Sequence, residues 1–133
     1  MKSIKIGMLG CGVVGGAVAR ELANNGADLA ARAGAQLELT KVAVRSTAKR
    51  DGVPDSILTT DAESVVSDPE ISLIIEVMGG IEPARELILK AIANGKSVVT
   101  ANKALLATHG ADLYNAAEKA GVDLYYEIGR AHV

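Results

Sequence analysis

Ile4-Lys5-Ile6-Gly7-Met8-Leu9-Gly10-Cys11-Gly12-Val13-Val14-Gly15 is the stretch that decides the reading of this chain. A short strand pattern, Ile4 to Leu9, runs into glycines spaced G-x-G-x-x-G. From Val13 to about Asn25 the pattern turns helical, with Val14, Val18 and Leu22 on one stripe. Each glycine in such a strand–turn–helix has a mechanical task. Gly10 permits the tight turn, Gly12 lets a diphosphate approach the backbone, and Gly15 lets helix and strand pack closely. The helix N-terminus adds unpaired N–H groups and a partial positive charge. The alternative is a glycine-rich packing turn that holds no ligand. Cys11, the only cysteine, reads as a small loop residue whose backbone faces the ligand, with no partner thiol for redox chemistry.

Working outward, strands alternate with helices. Residues 27–33 continue the first helix or form a second short one, and Leu37 to Val44 is a strand whose alternation slips at Lys41. Residues 45–60 are polar, contain Gly52 and Pro54, and read as a loop. Asp61 to Ser67 is a short helix ended by Asp68-Pro69. Leu73 to Val77 is a mostly apolar strand, as buried parallel strands are. Glu82-Pro83 opens a helix that runs to about Asn94, with Pro83 in the first turn. Ser97 to Thr100 is a strand, His109 to Ala120 a helix with His109 near its start, and Val122 to Tyr126 a last strand. Repeated βαβ units predict an α/β fold, a Rossmann-type doubly wound parallel sheet with its ligand at the carboxyl ends of the strands.

Composition agrees. The 133 residues suit one domain, 49% are hydrophobic, and aromatics are 2%, all Tyr. The core therefore rests on Val, Ile, Leu and Ala. A net charge of -2 leaves no basic excess for a nucleic-acid backbone. No apolar run approaches the roughly 20 residues of a membrane helix. The lone cysteine fits a reducing compartment, so a cytoplasmic location is expected.

The second strand ends Ala43-Val44-Arg45, without the carboxylate that would hold the ribose 2′-OH of NAD. Arg45 can stack on adenine and bind a 2′-phosphate, with Lys49 or Arg50 assisting, which favours NADP and leaves NAD as the alternative. A solvated basic loop is the plainer account of Lys49 and Arg50. Glu76, inside an apolar strand, needs partners; it is either a structural acid or a substrate contact. Met78-Gly79-Gly80 lets backbone approach a ligand. Thr100-Ala101-Asn102-Lys103 brings small polar residues and one ammonium to the same edge. Lys103 can reach a nicotinamide, a substrate carboxylate or a reacting oxygen, unless it is simply a solvated loop lysine.

Together these segments resemble the N-terminal nucleotide-binding domain of homoserine dehydrogenase. The resemblance rests on Gly10 to Gly15, Lys41 to Arg45, Glu76 to Arg85, Val98 to Leu106 (VVTANKALL) and Gly121 to Glu127 (GVDLYYE), and it covers residues 2–127. It implies NAD(P)-dependent interconversion of L-homoserine and L-aspartate 4-semialdehyde, on the way to threonine and methionine. It further implies that Gly10, Cys11, Gly12, Val13, Val14, Gly15 and Thr100 serve cofactor binding and that Arg45 selects the 2′-phosphate. Met78 would lie on the nicotinamide side, and Lys103 near nicotinamide and substrate as the catalytic candidate. Glu127 matches the first residue of a segment that helps hold a monovalent cation through its backbone.

The pattern departs at Ile128-Gly129-Arg130-Ala131-His132-Val133, where the family continues with an Ala/Gly-rich turn. We expect residues 1–127 to be the NAD(P)-binding domain and 128–133 a tail foreign to it. The catalytic and dimerisation domain, and with it the family's homodimer, would then lie outside this sequence. Such a chain should bind NADP(H) weakly and not turn over. Two other readings remain: another Rossmann oxidoreductase, of aspartate or sugar dehydrogenase type, or a non-catalytic NAD(P)-sensing module.

Overall fold

The computed structural model describes residues 3–10, 15–18, 34–45 and 53–126. Strands β1 (Ser3–Leu9), β2 (Gln36–Ala43), β3 (Leu58–Thr59), β4 (Leu73–Glu76), β5 (Ser97–Thr100) and β6 (Leu124–Tyr126) form one sheet in the order β3-β2-β1-β4-β5-β6. Every pairing is parallel. The order reverses between β1 and β4, which is the topological switch point of a doubly wound sheet.

Helices α1 (Ala62–Val66), α2 (Ala84–Ala93) and α3 (Lys103–Ala120) follow β3, β4 and β5. They bury one face of the sheet. There Leu9, Ala43, Ile74 and Val98 meet Val65 and Val66 of α1, Leu87, Ile88, Ala91 and Ile92 of α2, and Leu105, Leu113 and Ala117 of α3. A smaller cluster on the other face joins Met8, Val42, Val44 and Val53, with Val18 from the helical turn 15–18 packed against it. Gly7 makes room inside β1 for α1. A Cβ there would stand 2.5 Å from Val65 Cγ1, so a side chain at this position would push the helix away.

The slip at Lys41 has a structural cause. β1 and β2 pair regularly through Ile6 and Leu39, then resume with Gly7 opposite Lys41, leaving Thr40 as an extra residue in a bulge. The bulge switches parity, so that Leu39 before it and Val42 and Val44 after it all belong to the same apolar cluster.

Three expectations are corrected. The segment 45–60 is not all loop: a 3-10 turn (Asp55–Ile57) leads into β3, where Val42 pairs with Leu58 and Ala43 with Thr59. α3 begins at Lys103 rather than His109, because the Asn102 side chain caps it by accepting from Leu105 N at 3.1 Å; His109 therefore lies within the helix. Pro83 stands at the N-cap position of α2 rather than in its first turn. The expected segments 27–33 and 128–133, and most of the helix from Val13 to Asn25, lie outside the described residues.

The amino edge of the sheet is tied by charge. Lys5 pairs with Glu70 at 2.6 Å and Lys41 with Asp68 at 3.1 Å. Lys96, almost wholly buried, donates to the carbonyls of Asp68 (2.5 Å) and Ile71 (2.6 Å). Burial pushes the Lys96 ammonium below its ordinary pKa. The Glu70 amide and then Lys41 hold the Asp68 carboxyl below its own.

Candidate functional site

The carboxyl ends of β1, β2 and β4 open onto a cleft of ≈ 700 Å³. Its wall is Gly10 after β1, Ala43 to Arg45 at the end of β2, Val77 to Gly80 after β4, and Glu82 and Pro83 before α2. This volume is in the range of small-molecule and cofactor sites, roughly 300–1,000 Å³.

Gly10 forms the floor where β1 meets β4. Its N–H donates to Ala43 O at 2.7 Å and its φ is +90°. A Cβ built there would sit 3.1 Å from both Met78 Cα and Met78 N, backbone that cannot swing aside. The absent side chain is thus a mechanical requirement of this crossing. Gly15 behaves as its place in the motif predicts. Its Cβ would come within 3.1 Å of Val77 Cγ2 and 3.3 Å of Gly10 O, so the helical turn 15–18 lies close over the strand ends. Cys11, Gly12, Val13 and Val14 lie outside the described residues, as does Glu127. Arg45 is exposed at the cleft's rim, at the end of β2, where a group bound near the adenosine ribose would lie. A bare crossing at the switch point, a cleft of this size and a guanidinium at its edge suit a dinucleotide.

The loops after β4 and β5 are joined by a buried polar cluster. Glu76 is 0% exposed. Its Oε2 accepts from Met78 N at 2.9 Å and Gly79 N at 3.2 Å, and its Oε1 accepts from the Thr100 hydroxyl. The Asn102 amide reaches the same Oε2 at 3.5 Å and donates to Gly80 O at 2.6 Å. Thr100 Oγ1 accepts in turn from Asn102 N at 3.0 Å. Gly79 and Gly80 both take positive φ, +78° and +75°, with open space around each. The loop needs their backbone freedom and not their small size.

This arrangement decides between the two roles open to Glu76. Its carboxylate is filled by the protein's own donors, so it is a structural acid holding the Met78–Gly80 loop. Thr100 was expected to touch the cofactor. Its side chain is instead fully buried with its hydroxyl committed to Glu76 and Asn102, so it shapes the loop from behind. Met78 does line the cleft, half-buried. Lys103 opens α3 with an exposed side chain, outside the cleft wall and one residue from Asn102. Asn102, expected among the small polar residues of the ligand edge, is instead a helix cap and a brace of the loop. Its signal was an Asn directly before the helical run Lys103-Ala104-Leu105-Leu106, a preferred N-cap.

Residues 10–127 match the family model for the NAD-binding domain of homoserine dehydrogenase. A homoserine dehydrogenase of Mycobacterium tuberculosis is 49% identical over 130 residues, which is 98% of this chain and 30% of that protein. The Corynebacterium glutamicum homoserine dehydrogenase is 47% identical, over 97% of this chain and 29% of that protein. The crystal structure of a homoserine dehydrogenase from Thiobacillus denitrificans superposes with a TM-score of 0.89 at 44% identity, covering 96% of this chain and 30% of that one. The chain therefore spans about 30% of the length of these relatives. No described helix is long and apolar enough to cross a membrane.

Proposed function

Given that the chain belongs to the family of homoserine dehydrogenase NAD-binding domains, we propose that residues 1–127 are the cofactor-holding part of a homoserine dehydrogenase. The whole enzyme would interconvert L-homoserine and L-aspartate 4-semialdehyde in threonine and methionine biosynthesis, in the cytoplasm. The observation that carries this reading is the Gly10 crossing at the floor of the cleft, where a side chain is excluded and bare backbone is left for a ligand to approach.

In this reading the first turn, Gly10 to Gly15 with Cys11, Gly12, Val13 and Val14, holds the diphosphate. Arg45 takes the 2′-phosphate, so the preferred cofactor is NADP. Met78 faces the nicotinamide side, and Thr100 acts through the loop it braces. The bound nicotinamide would supply hydride transfer to and from the substrate's C4 carbon. The chain's own residues orient that ring and keep the loops around it in one conformation. Lys103, exposed at the start of α3, is the catalytic candidate in this chain. Glu127 would help hold a monovalent cation through its backbone. The rest of the enzyme would supply the other groups that bind homoserine and the dimer contacts, with residues 128–133 foreign to the domain.

Calorimetric titration tests the reading. The wild type should bind NADPH more tightly than NADH, and Arg45→Ala should weaken NADPH by about tenfold or more while leaving NADH nearly unchanged, as loss of a charge-assisted contact demands. Equal binding of both cofactors by the wild type removes Arg45 as a selector. No heat with either sinks the cofactor assignment itself.

A further inference from the structure

The buried carboxylate of Glu76 does more than brace a loop. Among the described residues, its four partners are the amides of Met78 and Gly79, the Thr100 hydroxyl and the Asn102 side-chain amide. All four donate. The Thr100 hydroxyl donates to Glu76 while its oxygen accepts from Asn102 N. Two backbone amides and a side-chain amide aimed at Oε2 form a donor set that suits the carboxylate form. All four partners are also neutral. Hydrogen bonds spread the charge over the cluster but do not cancel it, and at 0% exposure water does not screen it.

The place of this charge gives it a consequence, which rests on the cofactor reading above. A dinucleotide whose 2′-phosphate lies at Arg45 and whose diphosphate lies at the β1 turn must send its other half across the switch point, toward the loop after β4. Val77 to Gly80 form the cleft wall there. Glu76 Oε2 touches the amides of two of those wall residues. The anion is therefore one peptide layer from the surface on which the nicotinamide would rest. An oxidised nicotinamide ring carries a positive charge, and a reduced ring is neutral.

We propose that Glu76, held by Thr100 and Asn102, is a positioning residue whose buried charge favours the oxidised cofactor over the reduced one. It acts through the Met78–Gly80 loop and touches neither substrate nor cofactor. A merely structural brace would change both affinities together. A charge changes their ratio.

The experiment titrates the 133-residue chain with NADP+ and with NADPH, reading calorimetry for both. In Glu76→Gln the dissociation constant for NADP+ should rise relative to that for NADPH by roughly three- to thirtyfold, the span of one charge acting across a few ångströms of protein. Thr100→Val keeps the charge and loosens the loop. It should weaken both forms by a similar factor and leave the ratio within about twofold. If Glu76→Gln does not fold, Glu76→Asp is the second arm: the anion stays and retracts, both affinities fall, and the ratio persists. A ratio unmoved by Glu76→Gln while binding continues overturns the proposal, as does a ratio that collapses in Glu76→Asp. A wild type that binds neither form overturns the underlying cofactor assignment as well, and so is told apart from the failure of this inference alone.

Discussion

Gly10→Ala adds one methyl group where β1 crosses the backbone that leaves β4. Two effects combine. The residue holds φ +90°, where an L side chain is strained by roughly 1–3 kcal/mol. The new Cβ also arrives 3.1 Å from Met78 Cα and N and 3.2 Å from Val77 C. Those atoms are fixed, because Val77 N donates to Leu9 O at 2.9 Å and Met78 N to Glu76 Oε2 at 2.9 Å. Overpacking against such backbone costs roughly another 1–3 kcal/mol. A destabilisation of about 3 kcal/mol is expected, a large share of the roughly 5–15 kcal/mol that holds a domain together. Gly79→Ala is the control. It has a similar φ, +78°, but nothing within 4 Å, so only the backbone strain of about 1 kcal/mol applies. Urea unfolding followed by circular dichroism should move the Gly10→Ala midpoint down by about 1.5 M and the Gly79→Ala midpoint by about 0.5 M, for a slope near 2 kcal/mol/M. On the proposed reading, NADPH affinity should fall in the folded fraction of Gly10→Ala, since the turn after β1 is displaced. If Gly10→Ala were as stable as Gly79→Ala, the close-crossing argument would be wrong.

Gly7→Ala should destabilise by about 1–3 kcal/mol, and Val65→Ala in the same chain should recover part of that loss, because the clash is with Val65 Cγ1; additive losses in a double-mutant cycle would refute the contact. Lys96→Met should cost about 1–3 kcal/mol by orphaning the Asp68 and Ile71 carbonyls, and an unchanged urea midpoint would contradict this. The same ammonium gives an alkaline signature. Its folded pKa is lowered, so the unfolded chain binds more protons between that value and 10.5, and stability gains from Lys96 as pH rises through that window. Lys5 and Lys90, raised by Glu70 and Glu63, have the opposite sign and lose their contribution as pH rises past 10.5, so the Lys96 term is read as the difference between wild type and Lys96→Met. At the acid end, the lowered Asp68 carboxyl contributes stability that is complete above its ordinary value of 3.8 and is lost as pH falls through its folded value; Asp68→Asn should flatten that part of the curve, and an identical acid limb would show the ties to Glu70 N and Lys41 to be idle.

Much of this architecture could be read from the chain because its signals are local. The strand into Gly10, the apolar run Leu73–Ile75 and the helix stop at Gly121 each need only a few neighbouring residues to declare themselves. β3 could not be read that way: two residues carry no periodicity, and Leu58–Thr59 becomes a strand only because β2 offers a free edge. The start of α3 was concealed by chemistry. Asn102 and Lys103 look like ligand-edge loop residues, and the cap is recognisable only when Asn102 is weighed together with the helical run after it. Glu76 shows the limit most plainly. A carboxylate in an apolar strand demands partners, but those partners lie up to 26 residues away, on a neighbouring strand and its loop, and only the folded sheet names them.

The bulge at Thr40 leaves this protein with a spare link in the middle of its sheet. The pairs on either side, Ile6 with Leu39 and Gly7 with Lys41, are already those of an unbroken ladder, so removing Thr40 would close the gap without turning any apolar residue to the wrong side. Shortening a chain is normally tolerated only at loop tips. Here an inner strand would accept it, and the consequence would surface several residues away. A bulge sharpens the local twist, so its loss would re-aim the last residues of β2 and, with them, Arg45. One residue gained or lost in the middle of a strand can in this way redirect a side chain that the change never touches.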